Sequence, residues 1–294
     1  MSTAIRIRMY RPGFGDCFLI RFLSQEGQRH VLIDFGAHMH GDIGIMDEIM
    51  DDIESETGTK LESVIATHAH RDHIGGSAVF KNAKGMRIVA TEGVAEFLKE
   101  QNDPNRLIPN ETVGAKKTLT LGGKTVELTR HFYHSLEGDL FIYVPQAKFM
   151  MAIDCVTPGY APFQGFDITS NFGEYMKVFD QLLAYDFDTF VGGHLTDIGN
   201  KRDVEITKEF TMDVYQTVKR VHNNLDQGAV VAEAAKTVGT DNKFLLFKVI
   251  LDTVANQSDK ELQARWINRL AGVDVWMDSQ VRTAILYVRW DDKL

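Results

Sequence analysis

The chain has 294 residues, of which 44% are apolar and 25% charged, the balance of a soluble globular protein with room for a sizeable core. Its 41 acidic residues outnumber 32 basic ones, and the formal net charge of −9 comes without any basic run, which argues against a nucleic-acid partner because phosphate binding needs clustered cations. No apolar run is long enough for a membrane span, the opening MSTAIRIRMYRPGFGD lacks the apolar stretch of a secretory signal, and the two cysteines Cys17 and Cys155 make no disulfide framework, so a cytoplasmic location away from membranes is expected.

In chain order, AIRIRMYR alternates apolar and charged residues at period two and is predicted as a strand. PGFGD is a turn by its Pro-Gly and Gly-Asp content, and CFLIRFL and RHVLIDFG continue as strands of a meander. DIGIMDEIMDDIESETG places Ile43, Ile45, Met46, Ile49, Met50 and Ile53 close to helical spacing, with a glycine stop. In LESVIATH, the short apolar strand VIAT ends directly on a histidine cluster. GGSAVFKNA then reads as a helix start, MRIVAT as a strand and EGVAEFLKEQN as a helix. KTLTLGGKTVELTRHFYH returns to strands around a Gly-Gly hairpin, and DLFIYVP and KFMMAIDCV add two more. SNFGEYMKVFDQLLAY is an amphipathic helix, and DTFVGGH is a strand leading to a further histidine. Two similar halves, each a sheet covered by helices, are expected. The remainder is helical: RDVEITKEFTMDVYQTVKRVHNNL is one long helix, and AVVAEAAKTVG, NKFLLFKVILDTVANQ and KELQARWINRLAG are three further segments.

The segment THAHRDHIGG carries His68, His70, Asp72 and His73 within six positions. A transition-metal site needs imidazoles and carboxylates converging on one point, and side chains at a strand end and the following helix start can do so. Gly75 and Gly76 are expected to let the backbone turn tightly beneath them. The bland alternative is a polar loop with chance histidines.

THAHRDHIGG follows a strand and resembles the HxHxDH signature of the metallo-β-lactamase superfamily. The resemblance implies an α/β fold, an αββα sandwich with the metal site at one sheet edge, here with a helical C-terminal extension. The expected division is a catalytic domain over 1–225 and a mostly helical extension over 226–294 packed on the core. The resemblance also implies three ligands further along. YHSLEGDLFIYV supplies His134, favoured over His131 by Ser135 and Gly138; KFMMAIDCV supplies Asp154; FVGGHLTDIG supplies His194. Carried over by position, one metal takes His68, His70 and His134, and a second takes Asp72, His73 and His194, with Asp154 between them. Asp34 in LIDFG matches an aspartate that orients a ligating imidazole through its other nitrogen, with a plain turn residue as the alternative; Thr67 is a weaker candidate for the same role.

The implied cofactors are two Zn2+, with iron or manganese open. The implied function is a hydrolase that uses a metal-bound hydroxide to open a small carbonyl substrate: a lactone, lactam, ester or thioester. The alternatives are a phosphodiesterase on the same fold and a non-haem iron enzyme. Asp72 is a candidate proton shuttle and Tyr160 a candidate oxyanion donor. Tyr160, Phe163 and Phe166, in CVTPGYAPFQGFDITSNFG, either line an apolar pocket or form a self-packed loop; His38 and His40 either contact substrate or are solvated. Cys155 reads as a buried, inert thiol. The expected partner is a small-molecule substrate, and the helical tail serves as structural cap, homodimer contact or lid.

Overall fold

Alternating burial along the strands builds two facing sheets. In the computed structural model, which describes residues 5–10, 15–24, 27–36, 43–57, 61, 63–83, 85–121, 123–194 and 197–293, the first sheet has the order β1 (Ile5–Tyr10), β2 (Cys17–Ser24), β3 (Gly27–Ile33), β4 (Ser63–Ile65), β5 (Arg87–Thr91) and β6 (Glu111–Val113). The strands β1 to β3 form an antiparallel meander, and β3 to β6 run parallel. The second sheet has the order β11 (Thr189–Val191), β10 (Phe149–Ala152), β9 (Asp139–Val144), β8 (Lys124–His131) and β7 (Lys116–Leu121), antiparallel except for the β10–β11 pair.

Ile20, Val31, Ile33 and Ile65 of the first sheet meet Leu128, Ile142, Met151 and Val191 of the second in one apolar layer. The intervening residues point outward. Leu32 and Val64 pack under Ile49 and Ile53 of helix α1 (Ile43–Thr57). On the other side, Met150 and Ala152 join a cluster with Tyr175 and Phe179 of α5 (Phe172–Leu183), Val214 and Val218 of α6 (Lys201–Asn224), Val254 of α8 (Lys243–Trp266) and Val281 of α9 (Val273–Trp290). The result is helix, sheet, sheet, helix: the αββα sandwich, with a C-terminal helical region packed on its second face. Among the described residues, no helix is long and apolar enough to cross a membrane.

Some elements differ from the sequence reading. The structure adds the short edge strand β6. NKFLLFKVILDTVANQ and the start of KELQARWINRLAG join as the single helix α8, with Ser258 between them on its buried face. The structure adds helix α9, in which Val273, Met277, Val281, Ala284 and Ile285 make a buried stripe at helical spacing. Beyond the short α2 (Arg71–Ile74), SAVFKN is a 3₁₀ turn, and α3 (Glu92–Gln101) and α7 (Gln227–Val238) complete the helices.

Between β10 and α5, the turn α4 (Gln164–Ile168) winds left-handed, with φ of 60°, 60°, 56° and 50° from Gly165 to Ile168. Left-handed winding costs roughly 1–2 kcal/mol per non-glycine residue, so outside bonds must hold it. Asp167 supplies some of them: its carboxylate accepts from Phe163 N–H at 2.9 Å and from the Tyr175 hydroxyl at 3.0 Å. Burial, reinforced by the Asp154 charge, pushes the Asp167 carboxyl up to about 7 from an ordinary 3.8.

A carboxyl whose folded value is raised keeps a proton that the unfolded chain has lost. Its contribution therefore favours folding at low pH and is lost as the pH rises from about 4 to about 7. Asp167→Asn removes that loss. In EDTA, its stability relative to wild type is expected to improve between pH 5 and 8, by on the order of 1 kcal/mol per pH unit within the titrating range. Thermal unfolding profiles that run parallel for the two proteins would contradict it.

Candidate metal centre

The strand directions bring the chemistry to one edge. The parallel neighbours β3 and β4 release Asp34 and Thr67–His70 at their C-terminal ends. On the facing sheet, β8 and β10 flank β9 and run the same way, releasing His134 and Asp154, and β11 adds His194. His70 ends the loop after β4, and α2 begins at once, turning Asp72 and His73 back toward the same point.

Donor atoms of His68, His70, His134 and Asp154 all lie within 4.8 Å of one another. His134 Nε2 is 3.1 Å from His70 Nδ1, and Asp154 Oδ2 is 3.5 Å from both His68 Nε2 and His134 Nε2. Four donors around zinc at about 2.0–2.1 Å are separated by roughly 3.3 Å along the edges of a tetrahedron, and these gaps match it. A second set surrounds the same carboxylate. His73 Nε2 is 3.1 Å from Asp154 Oδ2 and 3.5 Å from Asp72 Oδ2, and His194 Nε2 is 3.0 Å from Asp154 Oδ1 and 3.8 Å from Asp72 Oδ2. Nε2 of His68 and of His73 are buried and complete no hydrogen bond. Such orphaned atoms are costly in a protein interior, and a cation in each donor set would satisfy them, so the residues present fit a metal.

Asp34 organises these rings from behind. It accepts Thr67 N–H at 2.7 Å, the Thr67 hydroxyl at 2.8 Å and His73 Nδ1–H at 3.0 Å. Because the Thr67 hydroxyl donates to Asp34, its oxygen is left to accept from His68 Nδ1, 3.2 Å away. The His68 ring then carries its proton on the rear nitrogen and aims a free Nε2 into the centre, while Asp34 fixes the His73 ring from the same side. Asp34, Asp154 and His194 all have left-handed φ, at 55°, 58° and 52°. Such strain in non-glycine residues persists where the surroundings over-determine it, and here it aims side chains into the centre.

Electrostatics separates the two sets. Burial holds the His68 imidazole well below its usual range and His134 at about 4, so both rings are neutral near pH 7. Burial also opposes charge on His73, but the Asp154 carboxylate, with Asp34 and Asp72, lifts it well above its ordinary value. His194 is likewise opposed by burial and carried up to about 9 by Asp154 and Asp16. Burial disfavours the Asp154 carboxylate, yet the His73 and His194 charges keep it well below the usual range.

Two site residues escaped the sequence reading. Asp16, fully buried, accepts His194 N–H at 2.9 Å, lies 3.8 Å from His73 Nδ1 and forms a donor cluster with both histidines. Its own N–H donates to the Asp72 carbonyl at 2.7 Å. Asp139, also buried, accepts the N–H groups of His134 at 2.9 Å and Ser135 at 3.1 Å. Burial raises these carboxyls to about 6 and about 7. Both residues stand at the start of an antiparallel strand, β2 or β9, and so reach the same edge as the strand ends.

Other expectations shift. Gly75 and Gly76 have φ of −63° and −91°, ordinary for any residue, so the backbone turn there does not need glycine. A close approach that does need it falls at Gly36, where a Cβ would lie 1.5 Å from the Asp72 carbonyl oxygen. Phe166 is a core residue packed on Phe172 and Tyr175, not a pocket wall. Phe163 is half-exposed against Trp276. Tyr160 is 39% exposed and pairs through its backbone with Ala271. The Cys155 thiol is buried and pushed up by that burial, as an inert thiol would be. His131 stacks on Phe141 and bonds Gln181 instead of joining the cluster. His38 and His40 lie outside the described residues.

Facing sheets between helical layers, with a histidine and carboxylate cluster at one edge, define a metal-binding αββα protein. A model of the metallo-beta-lactamase superfamily matches residues 10–194, and the chain belongs to that superfamily. It is similar to a solved metallo-beta-lactamase from Pontibacter korlensis, at 18% identity and TM-score 0.55, over 71% of this chain and 95% of that one. It is also similar to the DIM-1 metallo-beta-lactamase, at 16% identity and TM-score 0.55, over 71% and 93% of the two chains. A third, TMB-1, is matched at 17% identity and TM-score 0.53, over 70% and 90%. Identities this low speak for the fold alone. The comparison with curated proteins returns no match.

Asp34→Ala strips acceptors from Thr67 and His73 and is expected to lower affinity for divalent cations by roughly 10–100-fold. Competition with a chromophoric chelator measures this, and wild-type affinity in the variant would remove Asp34 from the centre.

Proposed function

We propose that the protein is a zinc-dependent hydrolase that opens a small carbonyl compound, a lactone, lactam, ester or thioester, at a two-cation site. The observation that carries this reading is the pair of donor sets meeting on the one Asp154 carboxylate at separations suited to zinc. His68, His70 and His134 would hold one ion and Asp72, His73 and His194 the other, with Asp154 between them. Bound zinc supplies Lewis acidity, which brings the pKa of a coordinated water to near 7 and polarises a carbonyl.

The remaining chemistry belongs to the chain. His68, His73 and His134 are buried, whereas the side chains of Asp72 and His194 are 28% and 39% exposed. Substrate therefore approaches from the Asp72–His194 side. Asp72 Oδ2 is placed there to accept a proton from the attacking water and return it to the leaving group. Burial disfavours charge on Asp72, but the hydrogen bond and charge of His73 hold it below the ordinary carboxylate value, so it is an acceptor at neutral pH. Tyr160, in the loop following Asp154, is the proposed donor to the developing oxyanion.

Elemental analysis is expected to give about two zinc ions per chain, and a single iron would overturn the assignment. Neutral imidazoles are needed for ligation, so the His73–His194 set must release protons when it binds a cation, and the His68–His134 set need not. Binding of the second ion is therefore expected to tighten from pH 7 to 9 while binding of the first stays nearly flat, as read by calorimetry in buffers of different ionisation enthalpy.

His70→Ala should lose both metal and turnover. A panel of lactones, lactams, thioesters and nitrophenyl phosphodiesters assigns the substrate class, and turnover of the phosphodiester alone would replace the carbonyl reading.

A further inference from the structure

Helices α6 to α9 lie beyond the segment matched to the superfamily, and α4 is where they meet the metal centre. The side chain of Gln280, on α9, is fully buried. Its Oε1 accepts Phe166 N–H at 2.5 Å, and its Nε2 donates to the carbonyls of Pro162 at 2.5 Å and Phe163 at 2.9 Å. Beside it, Ser279 Oγ accepts Gly165 N–H at 3.0 Å. These bonds grip a turn in which Phe166, Asp167 and Ile168 take left-handed φ, a conformation such residues keep only under outside constraint.

The other side of the turn is bonded to the ligand loops. Ser170 N–H donates to the His134 carbonyl at 2.9 Å, and the Thr169 hydroxyl donates to the Tyr133 carbonyl at 2.5 Å. The Tyr175 hydroxyl sits between Asp167, at 3.0 Å, and the carbonyl of Cys155, at 2.8 Å, the residue directly after Asp154. A tail that only capped an apolar face would need no more than the contacts Val281 and Ala284 make from the same helix. A buried amide spent entirely on the backbone of a strained turn does something else.

We propose that Gln280 is a positioning residue through which the C-terminal helices set the placement of His134 and Asp154, making the helical extension a working part of the metal centre. The inference rests on reading those two residues as cation ligands. The test compares Gln280→Ala and Gln280→Met, the latter keeping the side chain's length without its hydrogen bonds, with Val281→Ala, which opens the core one residue along the same helix. Zinc affinity is measured by chelator competition, and backbone hydrogen exchange is followed over residues 133–136 and 165–170.

The Gln280 variants are expected to bind zinc about 10–100-fold more weakly and to exchange faster in both segments. Val281→Ala is expected to lower the Tm while leaving zinc affinity and local exchange unchanged. Wild-type affinity and exchange in the Gln280 variants would overturn the proposal, as would an equal loss of affinity in Val281→Ala. If the wild-type protein binds no zinc, the ligand reading falls by itself. Exchange at 133–136 in Gln280→Met then decides the positioning role: acceleration sustains it and no change ends it.

Discussion

A carboxylate taken out of water survives as an anion only where cations or strong donors surround it. Asp154 is that carboxylate here, held by the charged His73 and His194, whose Nε2 atoms lie 3.1 and 3.0 Å from its oxygens, with the neutral His68 and His134 beside it at 3.5 Å. Everything else at this edge serves to make that gathering affordable. Asp34 holds His73 directly and His68 through Thr67, Asp16 holds the His194 backbone, and Asp139 holds the His134 backbone. Each buried acid is matched to donors of a neighbouring loop, so no loop can shift alone.

The sandwich supplies the stiffness that this arrangement needs. Residues at the strand ends are fixed by the sheet behind them, and the left-handed φ of Asp34, Asp154 and His194 marks where the chain bends out of its strand to aim a side chain. Such bends are unfavourable in isolation and persist because sheet pairing and buried hydrogen bonds on both sides fix them. The close approach of Gly36 to the Asp72 carbonyl is part of the same constraint: it brings the loop after β3 against the α2 turn, and Asp34 reaches His73 across that contact.

The fold was legible because its signals are local. Period-two strands, the strand VIAT running into THAHRDH, and isolated histidines after later strands are each written in a few consecutive residues. Asp16 and Asp139 were not legible, because each acts through a loop distant in sequence. In PGFGD, the aspartate looks like a turn former, and only the antiparallel return of β2 shows that a strand's beginning shares an edge with its neighbours' ends. For Phe166 the sequence leaves pocket wall and self-packed loop equally open, and the left-handed turn decides it by rolling that ring inward onto Tyr175. Helix α9 is hard to read in the sequence because the polar Gln280 stands within its apolar stripe. The interruption at Gln280 is itself the contact with α4.

That last point bears on how site and tail are coupled. A turn carrying several left-handed, non-glycine residues cannot form early by local preference, since the isolated segment would relax to right-handed conformations. In the folded chain α9 supplies acceptors for Gly165 and Phe166 and a donor for the carbonyls of Pro162 and Phe163. The loop bearing His134 is bonded to the same turn, and the loop bearing Asp154 is joined to it through the Tyr175 hydroxyl. The last helix and the loops at the metal centre are thus tied to one turn. The boundary drawn by the superfamily match at residue 194 is a boundary of resemblance, and the bonds from Gln280 cross it.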